Sequence, residues 1–339
     1  MMSANIYGVD LGTANLKIYC KASGTILNEK NTIAIINKNQ MYAFGDNAYA
    51  MYEKAPDQIL VTFPVVNGVI ADYNNMQAML FEFLEKNTKG KTRGAEFVVA
   101  VPTDITKVEK KAFSDIFYKS KAKPKNVLLC EKPIANAVGL GLNVNEPTGI
   151  MIVDIGADTT EISIISLGGL VLSHLLHFGG NRLDESIISY IRKNYNLVIG
   201  RKTACSLKEE LASALEGRDA SMTIVGRDVV SGLPIEMEIT ASIVFEAIRD
   251  HLTNICTNIK LILEKTPPEL AKDIIYSGIY ITGGGSKIER LDELFTQITN
   301  IKVNCCDNPE ESVAQGLIKI VSDNEYKHLA YSLKTSEYI

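Results

Sequence analysis

The sequence lacks the features that mark secreted, membrane-spanning and zinc-binding proteins. Its six cysteines include no CxxC pair and have no histidines at zinc-ligand spacing, so neither a disulfide framework nor a zinc site is predicted. No apolar run approaches the ~20 residues that a membrane-spanning helix needs, and the N-terminus resembles neither a signal peptide nor an amphipathic helix. We therefore expect reduced thiols and a cytoplasmic protein.

An excess of positive charge is also absent. The chain has 35 Lys and Arg against 40 Asp and Glu, a formal net charge of −5, so it has no general attraction for nucleic acid phosphates. We expect no nucleic acid partner. With 46% hydrophobic and 22% charged residues, the composition is typical of a folded protein. A chain of 339 residues is too long for one ordinary core, which predicts two lobes with a cleft between them.

The chain does contain a short internal repeat. One apolar strand runs into Asp-Leu-Gly-Thr at residues 10–13, and a second runs into Asp-Ile-Gly at 154–156. Each is followed by another alternating strand, at 17–20 and at 161–166. A strand, a glycine-containing turn and a second strand indicate a hairpin. The repeat predicts two related lobes, each of which presents a backbone loop to the shared cleft.

Helical periodicity follows strands in both halves of the chain, which is typical of the α/β class. Apolar residues at helical spacing over 105–117 predict a helix that Asp104 caps. Two more apolar stripes, one at 183–195 and a longer one at 244–263, predict helices in the second half, and Pro267 ends the longer one.

Two more helices are predicted towards the C-terminus. Ser286 and Glu289 have the spacing of a capping box, which predicts a helix that begins directly after TGGG. Pro309 in a first turn predicts a final helix that ends near Val321. The polar, tyrosine-rich residues that follow predict a loose tail.

Three glycine-bearing loops are candidates for phosphate binding: DLGTAN (10–15), DIGADTT (154–160) and TGGGS (282–286). Glycine lets backbone N–H groups approach an anion without an intervening side chain. A Walker P-loop is absent, because the nearest candidate, IGRKT at 199–203, lacks the upstream glycine. One such loop is usually an ordinary tight turn, but three in one chain indicate a nucleotide.

The motifs, taken in order, resemble the MreB family of bacterial actins, within the actin-like ATPase superfamily. They are DLGTAN, FPVVNGVIADY (63–73), EKPIANAVG (131–139), VDIGADTTE (153–161), GGNRLDESIISYIRKNY (179–195) and ITGGGSKIERLDELF (281–295). The resemblance extends from about residue 6 to 320 and includes the spacing of the motifs.

This resemblance implies an α/β fold of the actin-like, ribonuclease H-like kind, duplicated into two lobes with four subdomains and a nucleotide cleft. Residues 1–145 would form the first lobe (subdomains IA and IB) and 146–322 the second (IIA and IIB), with the helix 309–322 packing back on the first and 323–339 as a C-terminal tail. It also implies ATP or ADP with Mg²⁺, slow ATP hydrolysis, and subunits that polymerise into antiparallel double filaments governing cell shape or motility.

The resemblance assigns roles to individual residues. Asp10 and Asp154 match the carboxylates that hold magnesium, mostly through its water shell, which agrees with the preference of magnesium for hard oxygen ligands. Glu131 matches the glutamate that positions the attacking water, and Thr159 matches the threonine that assists it. The residues implied to bind the nucleotide are Gly12, Thr13, Ala14, Asn15, Lys17, Gly156, Ala157, Asp158, Gly180, Asn181, Cys205, Lys208, Glu209, Gly283, Gly284 and Gly285.

Several of these positions depart from the family pattern. Ala157 and Asp158 stand where the family has glycines, and a carboxylate there would repel the γ-phosphate unless a cation compensates. Lys17 stands where many relatives have an apolar residue and actins have a lysine, so it either supplies that compensation or faces solvent. Cys205 replaces a usual glutamate, which removes a hydrogen bond to the sugar that contributes ~1 kcal/mol.

The sequence also leaves alternatives to an ATP-hydrolysing filament protein. Ala157 and Asp158 favour a filament protein with strongly reduced ATPase activity as the first alternative. A small-molecule kinase of the same superfamily would need an acidic base and motif insertions that we do not find, and a heat-shock chaperone would need a peptide-binding domain after the last helix. We therefore expect a homopolymer.

A basic segment at 85–96 is the candidate for membrane contact. It contains Lys86, Lys89, Lys91 and Arg93, which could bind weakly to anionic lipid at the inner face of the cell membrane. A solvated charged loop is the alternative interpretation of the same residues.

Overall fold

The structure is a computed structural model, which describes residues 5–38, 40–88, 92–120 and 122–333. The chain divides into two compact units, each assembled from separate stretches of sequence. Unit 1 consists of Met1–Pro147, Ile165–Leu170 and Glu311–Ile339, and unit 2 of Thr148–Ile164 and Val171–Glu310.

The centre of unit 1 is a five-stranded sheet in the order β10-β9-β1-β2-β3. Its strands are β1 (Ile6–Leu11), β2 (Asn15–Cys20), β3 (Thr25–Lys30), β9 (Glu96–Val101) and β10 (Asn126–Glu131). β1, β2 and β3 are antiparallel neighbours, whereas β9 runs parallel to both β1 and β10. The predicted hairpin at residues 10–16 is therefore confirmed. Tyr7 and Phe97 stack in the core at 5.3 Å between ring centroids.

Among the described residues before 140, unit 1 also contains a smaller sheet, a two-stranded hairpin and four helices. The smaller sheet has the order β5-β4-β6, with β4 (Ile33–Ile36), β5 (Gln40–Phe44) and β6 (Ile59–Thr62). The hairpin pairs β7 (Val65–Val66) with β8 (Val69–Ile70). The helices are α1 (Asp46–Met51), α2 (Tyr73–Thr88), α3 (Lys107–Tyr118) and α4 (Lys132–Gly139).

The cap of α3 differs from the prediction. Thr106, not Asp104, is the N-cap residue, and its side chain accepts from the Glu109 N–H while the Glu109 carboxylate accepts from the Thr106 N–H. Asp104 lies two residues earlier with φ of 55°, in the left-handed region. The helix itself was predicted correctly, and Phe113, Ile116 and Phe117 are buried.

Unit 2 contains a second five-stranded sheet, in the order β13-β12-β11-β17-β18, and a smaller sheet in the order β14-β15-β16. The strands are β11 (Ile150–Ile155), β12 (Thr160–Ser166), β13 (Gly169–Leu176), β14 (Leu197–Val198), β15 (Ser221–Asp228), β16 (Pro234–Thr240), β17 (Ile279–Thr282) and β18 (Val303–Asn304). The helices are α5 (Gly180–Tyr195), α6 (Arg201–Leu211), α7 (Ala241–Lys265), α8 (Pro268–Ser277) and α9 (Leu291–Thr299). β17 is parallel to β11 and to β18.

Both long apolar stripes predicted from the sequence lie on helices of unit 2. Leu183, Ile187 and Ile191 are buried along α5. The buried positions of α7 recur at the same spacing from Val244 to Ile262, and the helix ends at Lys265, before the prolines. Helical periodicity alone therefore located both helices.

The start of α9 was predicted wrongly. Gly284–Lys287 form a 3₁₀ turn, and α9 begins only at Leu291, after Arg290 in a left-handed conformation. The Ser286 hydroxyl donates to the Gly283 carbonyl oxygen at 2.8 Å, and Glu289 forms an ion pair with Arg218 at 3.0 Å. The two side chains of the expected capping box therefore form other contacts and do not cap α9.

The last α-helix in the described part of the chain, α10 (Ser312–Ser322), belongs to unit 1 and packs against α4. The helix begins three residues after Pro309, which therefore lies in the preceding loop rather than in the first turn. The Pro309 carbonyl oxygen accepts a hydrogen bond from the Gly283 N–H. Gly316 allows the close approach of the two helices, because a Cβ there would collide with the Ala135 carbonyl oxygen.

The residues after α10 are not a loose tail along their described length. Lys327–Leu329 form a 3₁₀ turn, and Leu329 is buried. Tyr331 forms an antiparallel bridge with Leu129 of β10, with N–H···O distances of 2.8 and 2.9 Å. The chain therefore adds a short backbone pairing to the edge of the unit 1 sheet. Residues 334–339 of the predicted tail lie outside the described residues.

Candidate functional site

Asp10 lies at the end of β1 between two lysines. Its side chain is 8% exposed and forms an ion pair with Lys132, with 3.2 Å between Oδ1 and Nζ. Lys17 is the cross-strand partner of Asp10 in the β1–β2 register, so both side chains lie on the same face of the sheet. Lys17 is only 6% exposed, so the alternative that it faces solvent is wrong. The sequence reasoning missed Lys132, which directly follows Glu131.

The loop between β1 and β2 is held by Asn31, which the sequence reasoning also missed. Asn31 is fully buried; its side-chain amide donates to the Gly12 carbonyl oxygen at 2.7 Å, and its backbone N–H donates to Ala14 at 2.9 Å. A Cβ on Gly12 would lie 2.8 Å from the Asn15 carbonyl oxygen, so the turn requires glycine. The loop that contains Gly12, Thr13, Ala14 and Asn15 is therefore braced from inside unit 1.

Glu131 ends β10 and is the N-cap residue of α4. Its Oε1 accepts from Lys110 Nζ at 2.8 Å and from the Tyr331 hydroxyl at 2.7 Å. Its Oε2 is buried and has no hydrogen-bond partner among the described residues. The carboxylate is thus held by one oxygen, with the other left as an acceptor.

The Tyr331 hydroxyl stays protonated well into the alkaline range. Burial, followed by the charge of Glu131 and the hydrogen bond to it, raises the pKa of Tyr331 well above its ordinary value. A raised folded-state pKa gives stability that is complete below the unfolded pKa of about 10 and is lost as pH rises towards the folded value.

We expect this linkage to be visible as a difference between wild type and Tyr331→Phe. Above pH of about 10, the wild-type free energy of unfolding should fall more steeply with pH than that of the variant. Urea unfolding at a series of pH values from 8 to 11 measures both slopes. Equal slopes would mean that the Tyr331 hydroxyl is not buried against Glu131.

The second glycine turn lies in unit 2, between β11 and β12. The Gly156 N–H donates to the Thr159 carbonyl oxygen at 2.8 Å, which closes the turn. The first residues of α5 then bond to it: the Gly180 N–H donates to Gly156 at 2.9 Å, and the Asn181 N–H donates to Ala157 at 2.7 Å. The structure therefore places the second loop directly on the N-terminus of a helix, where negative charge is favoured.

Asp158 has a partner on the same helix end. The Asn181 side-chain amide donates to Asp158 Oδ1 at 2.7 Å. This contact, together with the N-terminus of α5, stabilises the carboxylate that the family pattern does not predict. Any phosphate bound at this turn must therefore share the helix N-terminus with a fixed negative charge.

Asp154 and the TGGG segment lie together. The Thr282 hydroxyl donates to Asp154 Oδ1 at 3.2 Å. Gly283 has φ of 79° and ψ of 163°, a backbone conformation that essentially only glycine adopts. A Cβ at this position would lie 2.5 Å from Asp154 Oδ1. Gly285 packs on Ile155 in the same way, whereas a Cβ on Gly284 would meet open space.

Five of the residues implied to bind the nucleotide lie on α5 and α6: Gly180, Asn181, Cys205, Lys208 and Glu209. Lys208 forms an ion pair with Asp184 at 2.8 Å and donates to the Gly180 carbonyl oxygen at 3.0 Å. Burial raises the pKa of Asp184, and the charge of Lys208 offsets part of that shift. The Cys205 thiol donates to Glu209 Oε1 at 3.4 Å, and burial raises its pKa to about 11, so it is a neutral thiol at pH 7.

Each of the two aspartates assigned to magnesium would need water or phosphate oxygens to complete the coordination of that ion. Asp10 and Asp154 offer carboxylate oxygens, which are the hard ligands that this ion prefers. Asp10 Oδ1 is buried without a well-formed hydrogen bond in the described part of the chain, although Lys132 lies close enough to compete with a metal ion. Over the same residues, no group of three or more His, Cys, Asp or Glu side chains could hold a metal alone.

Known proteins match this chain over most of its length. The family model described as MreB/Mbl protein matches residues 4–328. The chain belongs to the MreB/Mbl family. The resemblance stated from the sequence motifs is therefore confirmed.

Relatives of this MreB/Mbl family member match it over almost its whole length. The cell shape-determining protein Mbl of Bacillus subtilis is 39% identical over 318 residues, which cover 93% of this chain and 95% of Mbl. The crystal structure of MreB5 of Spiroplasma citri bound to AMPPNP has a TM-score of 0.92 and 33% identity, covering 97% of this chain and 99% of that one. MreB5 bound to ADP gives a TM-score of 0.91 at the same identity, with 96% and 98% covered. The expected actin-like α/β fold is confirmed.

The basic segment of this family member is only partly described. Lys89 and Lys91 lie outside the described residues. Lys86 is within 3.9 Å of the Glu29 carboxylate and 5.5 Å from the centroid of the Phe44 ring, and Arg93 is exposed. Across the described ranges, no helix has the length and apolar character needed to cross a membrane.

Proposed function

We propose that this MreB/Mbl family member binds ATP with magnesium, hydrolyses it slowly, and polymerises into antiparallel double filaments that govern cell shape or motility. One observation carries the proposal: each unit contains a hairpin whose first strand places an aspartate two residues before a turn glycine. These are Asp10 with Gly12 after β1, and Asp154 with Gly156 after β11. The AMPPNP and ADP bound to MreB5 of Spiroplasma citri support the choice of ligand.

The proposed chemistry requires positioning and charge neutralisation rather than a covalent intermediate. Glu131 orients the attacking water through its carboxylate, and Thr159 assists it from the second turn. Lys17 contributes a buried positive charge beside Asp10. A magnesium ion held by Asp10 and Asp154, mostly through water, would supply charge neutralisation at the phosphate oxygens.

The nucleotide is proposed to contact both units, which then act as the two lobes of the actin-like fold. The glycine loops at 10–15 and 154–160 would bind its phosphates, and α5, α6 and the TGGG segment its adenosine. Self-association follows from family membership and from the homopolymer that the sequence motifs imply. We place the protein in the cytoplasm, with weak peripheral contact to anionic membrane through its basic segment.

A filament protein with strongly reduced ATPase activity is the second candidate. The observation that favours it is Asp158, whose carboxylate is fixed at the N-terminus of α5 by Asn181. A fixed negative charge at this turn opposes the charge of a phosphate. ATP binding and polymerisation would persist in this case, but phosphate release would not.

Sedimentation and electron microscopy of the purified protein test the proposal. With ATP and magnesium, we expect most of the protein to pellet, paired straight filaments to be visible, and phosphate release to accompany assembly. Filaments without phosphate release would select the second candidate. An absence of pelleting in both ATP and AMPPNP would contradict a filament function.

A further inference from the structure

We propose that Tyr331 and Lys110 are positioning residues for Glu131: together they hold Oε1 of its carboxylate and leave Oε2 as the acceptor for the attacking water. The inference rests on the proposed role of Glu131 in hydrolysis. It gives the C-terminal segment, which the sequence predicted to be loose, a part in the reaction.

The geometry at Glu131 is asymmetric. Lys110 Nζ at 2.8 Å and the Tyr331 hydroxyl at 2.7 Å both donate to Oε1, so they occupy the two acceptor sites of that oxygen. No described residue donates to Oε2, although it is buried. The terminal torsion of a glutamate is broad, and two donors on one oxygen restrict it. The second oxygen is therefore pre-oriented.

The backbone brings Tyr331 to this place. Tyr331 and Leu129 exchange two N–H···O bonds, at 2.8 and 2.9 Å, which makes Tyr331 the cross-strand neighbour of Leu129. Glu131 lies two residues further along β10, on the same face as Leu129 and on the diagonal from Tyr331. A long aromatic side chain reaches that diagonal position. Its hydroxyl thus meets the carboxylate without distortion of either chain.

Lys110 contacts both Glu131 and Tyr331. It is three residues into α3, whose capping box fixes the helix start, and its side chain is 23% exposed. Its Nζ bonds to Glu131 and also lies 5.7 Å from the centroid of the Tyr331 ring. The cation therefore contacts both the carboxylate and the residue that holds it. Both donors lie in unit 1 with Glu131.

Tyr331→Phe is the first test, because it removes the hydroxyl and keeps both the ring and the backbone bridge. We expect kcat for phosphate release to fall about tenfold, since one hydrogen bond to a charged group is lost. KM and nucleotide affinity should stay close to wild type, because no nucleotide contact changes. Tyr326→Phe is the matched control, since neither oxygen of Glu131 bonds to Tyr326.

Lys110→Met is the second test, and it removes the charge while keeping most of the side-chain volume. We expect a fall in kcat of about tenfold or more, again with KM little changed. Lys107→Met is its control, because Lys107 is an exposed lysine on the same helix. A fall in melting temperature with unchanged kcat in both test variants would show a purely structural contact and overturn the proposal.

The double variant Tyr331→Phe/Glu131→Ala separates this inference from the function on which it rests. If Tyr331 acts through Glu131, the double variant releases phosphate at the rate of Glu131→Ala alone. Additive losses would overturn the positioning role while leaving Glu131 in the mechanism. A wild-type rate in Glu131→Ala itself would remove the proposed role of Glu131, and the positioning role with it.

Discussion

Glu131→Ala is expected to slow phosphate release about 100-fold at saturating ATP, because the water loses the carboxylate that orients it. Nucleotide affinity should be unchanged, since Glu131 is not among the residues assigned to nucleotide binding. The variant also leaves the partly buried Lys110 without its anion, so we expect a loss of about 1–3 kcal/mol in the free energy of unfolding. Single-turnover phosphate release, measured well below the melting temperature, separates the two effects.

Glu85→Ala provides the control for this experiment. Glu85 is an exposed residue on α2 of the same unit, so its removal should change neither rate nor stability appreciably. Equal phosphate release by Glu131→Ala and Glu85→Ala would exclude Glu131 from catalysis. A large change in nucleotide affinity would instead assign Glu131 to binding.

Gly283→Ala is expected to lower the free energy of unfolding by about 3 kcal/mol or more. Gly283 has a backbone conformation that side chains avoid, and its new Cβ would lie 2.5 Å from Asp154 Oδ1 and closer still to the Ile155 carbonyl oxygen. Relief of this clash has to move either the TGGG segment or the end of β11. Because Asp154 moves with that strand, magnesium-dependent nucleotide affinity should fall as well. Urea unfolding and nucleotide titration measure the two losses.

Gly284→Ala is the matched control for the neighbouring glycine. A Cβ on Gly284 would meet no atom within 4 Å, so we expect a change in stability within about 1 kcal/mol. If both variants lost a similar amount of unfolding free energy, the TGGG segment would contribute to stability through its chain flexibility rather than through its close approach to Asp154.

Much of the fold could be predicted because its signals are local in sequence. The stripes of α5 and α7 repeat at helical spacing, and the aspartate–glycine hairpins combine alternating strands with a turn residue. The same local signals put Asp10 and Asp154 at the ends of buried strands.

Local signals also misled the prediction of helix starts. Ser286 and Glu289 have the spacing of a capping box, but a 3₁₀ turn and a left-handed Arg290 come before α9. Asp104 is a good capping residue by type, yet the reciprocal bonds of Thr106 and Glu109 define the start of α3. At α9 one residue of the expected capping box, Glu289, pairs instead with the distant Arg218, whereas at α3 a capping box two residues beyond Asp104 defines the helix start.

The parts of the candidate site that could not be predicted depend on contacts between distant residues. Tyr331 is 200 positions from Glu131 in sequence, and Lys110 is 21 positions away on another element. Asn31 follows β3, and nothing in its local sequence indicates that it braces the loop at Gly12. Lys132 directly follows Glu131, but only the fold shows that it pairs with Asp10.

The measurement that tests the account most directly is a calorimetric titration of purified protein with ATP, with and without magnesium. We predict saturable binding of one nucleotide per chain that requires magnesium for full affinity, and a loss of affinity of at least about tenfold in Asp154→Ala only when magnesium is present. Absence of saturable binding, or the same affinity in Asp154→Ala as in wild type, would contradict it.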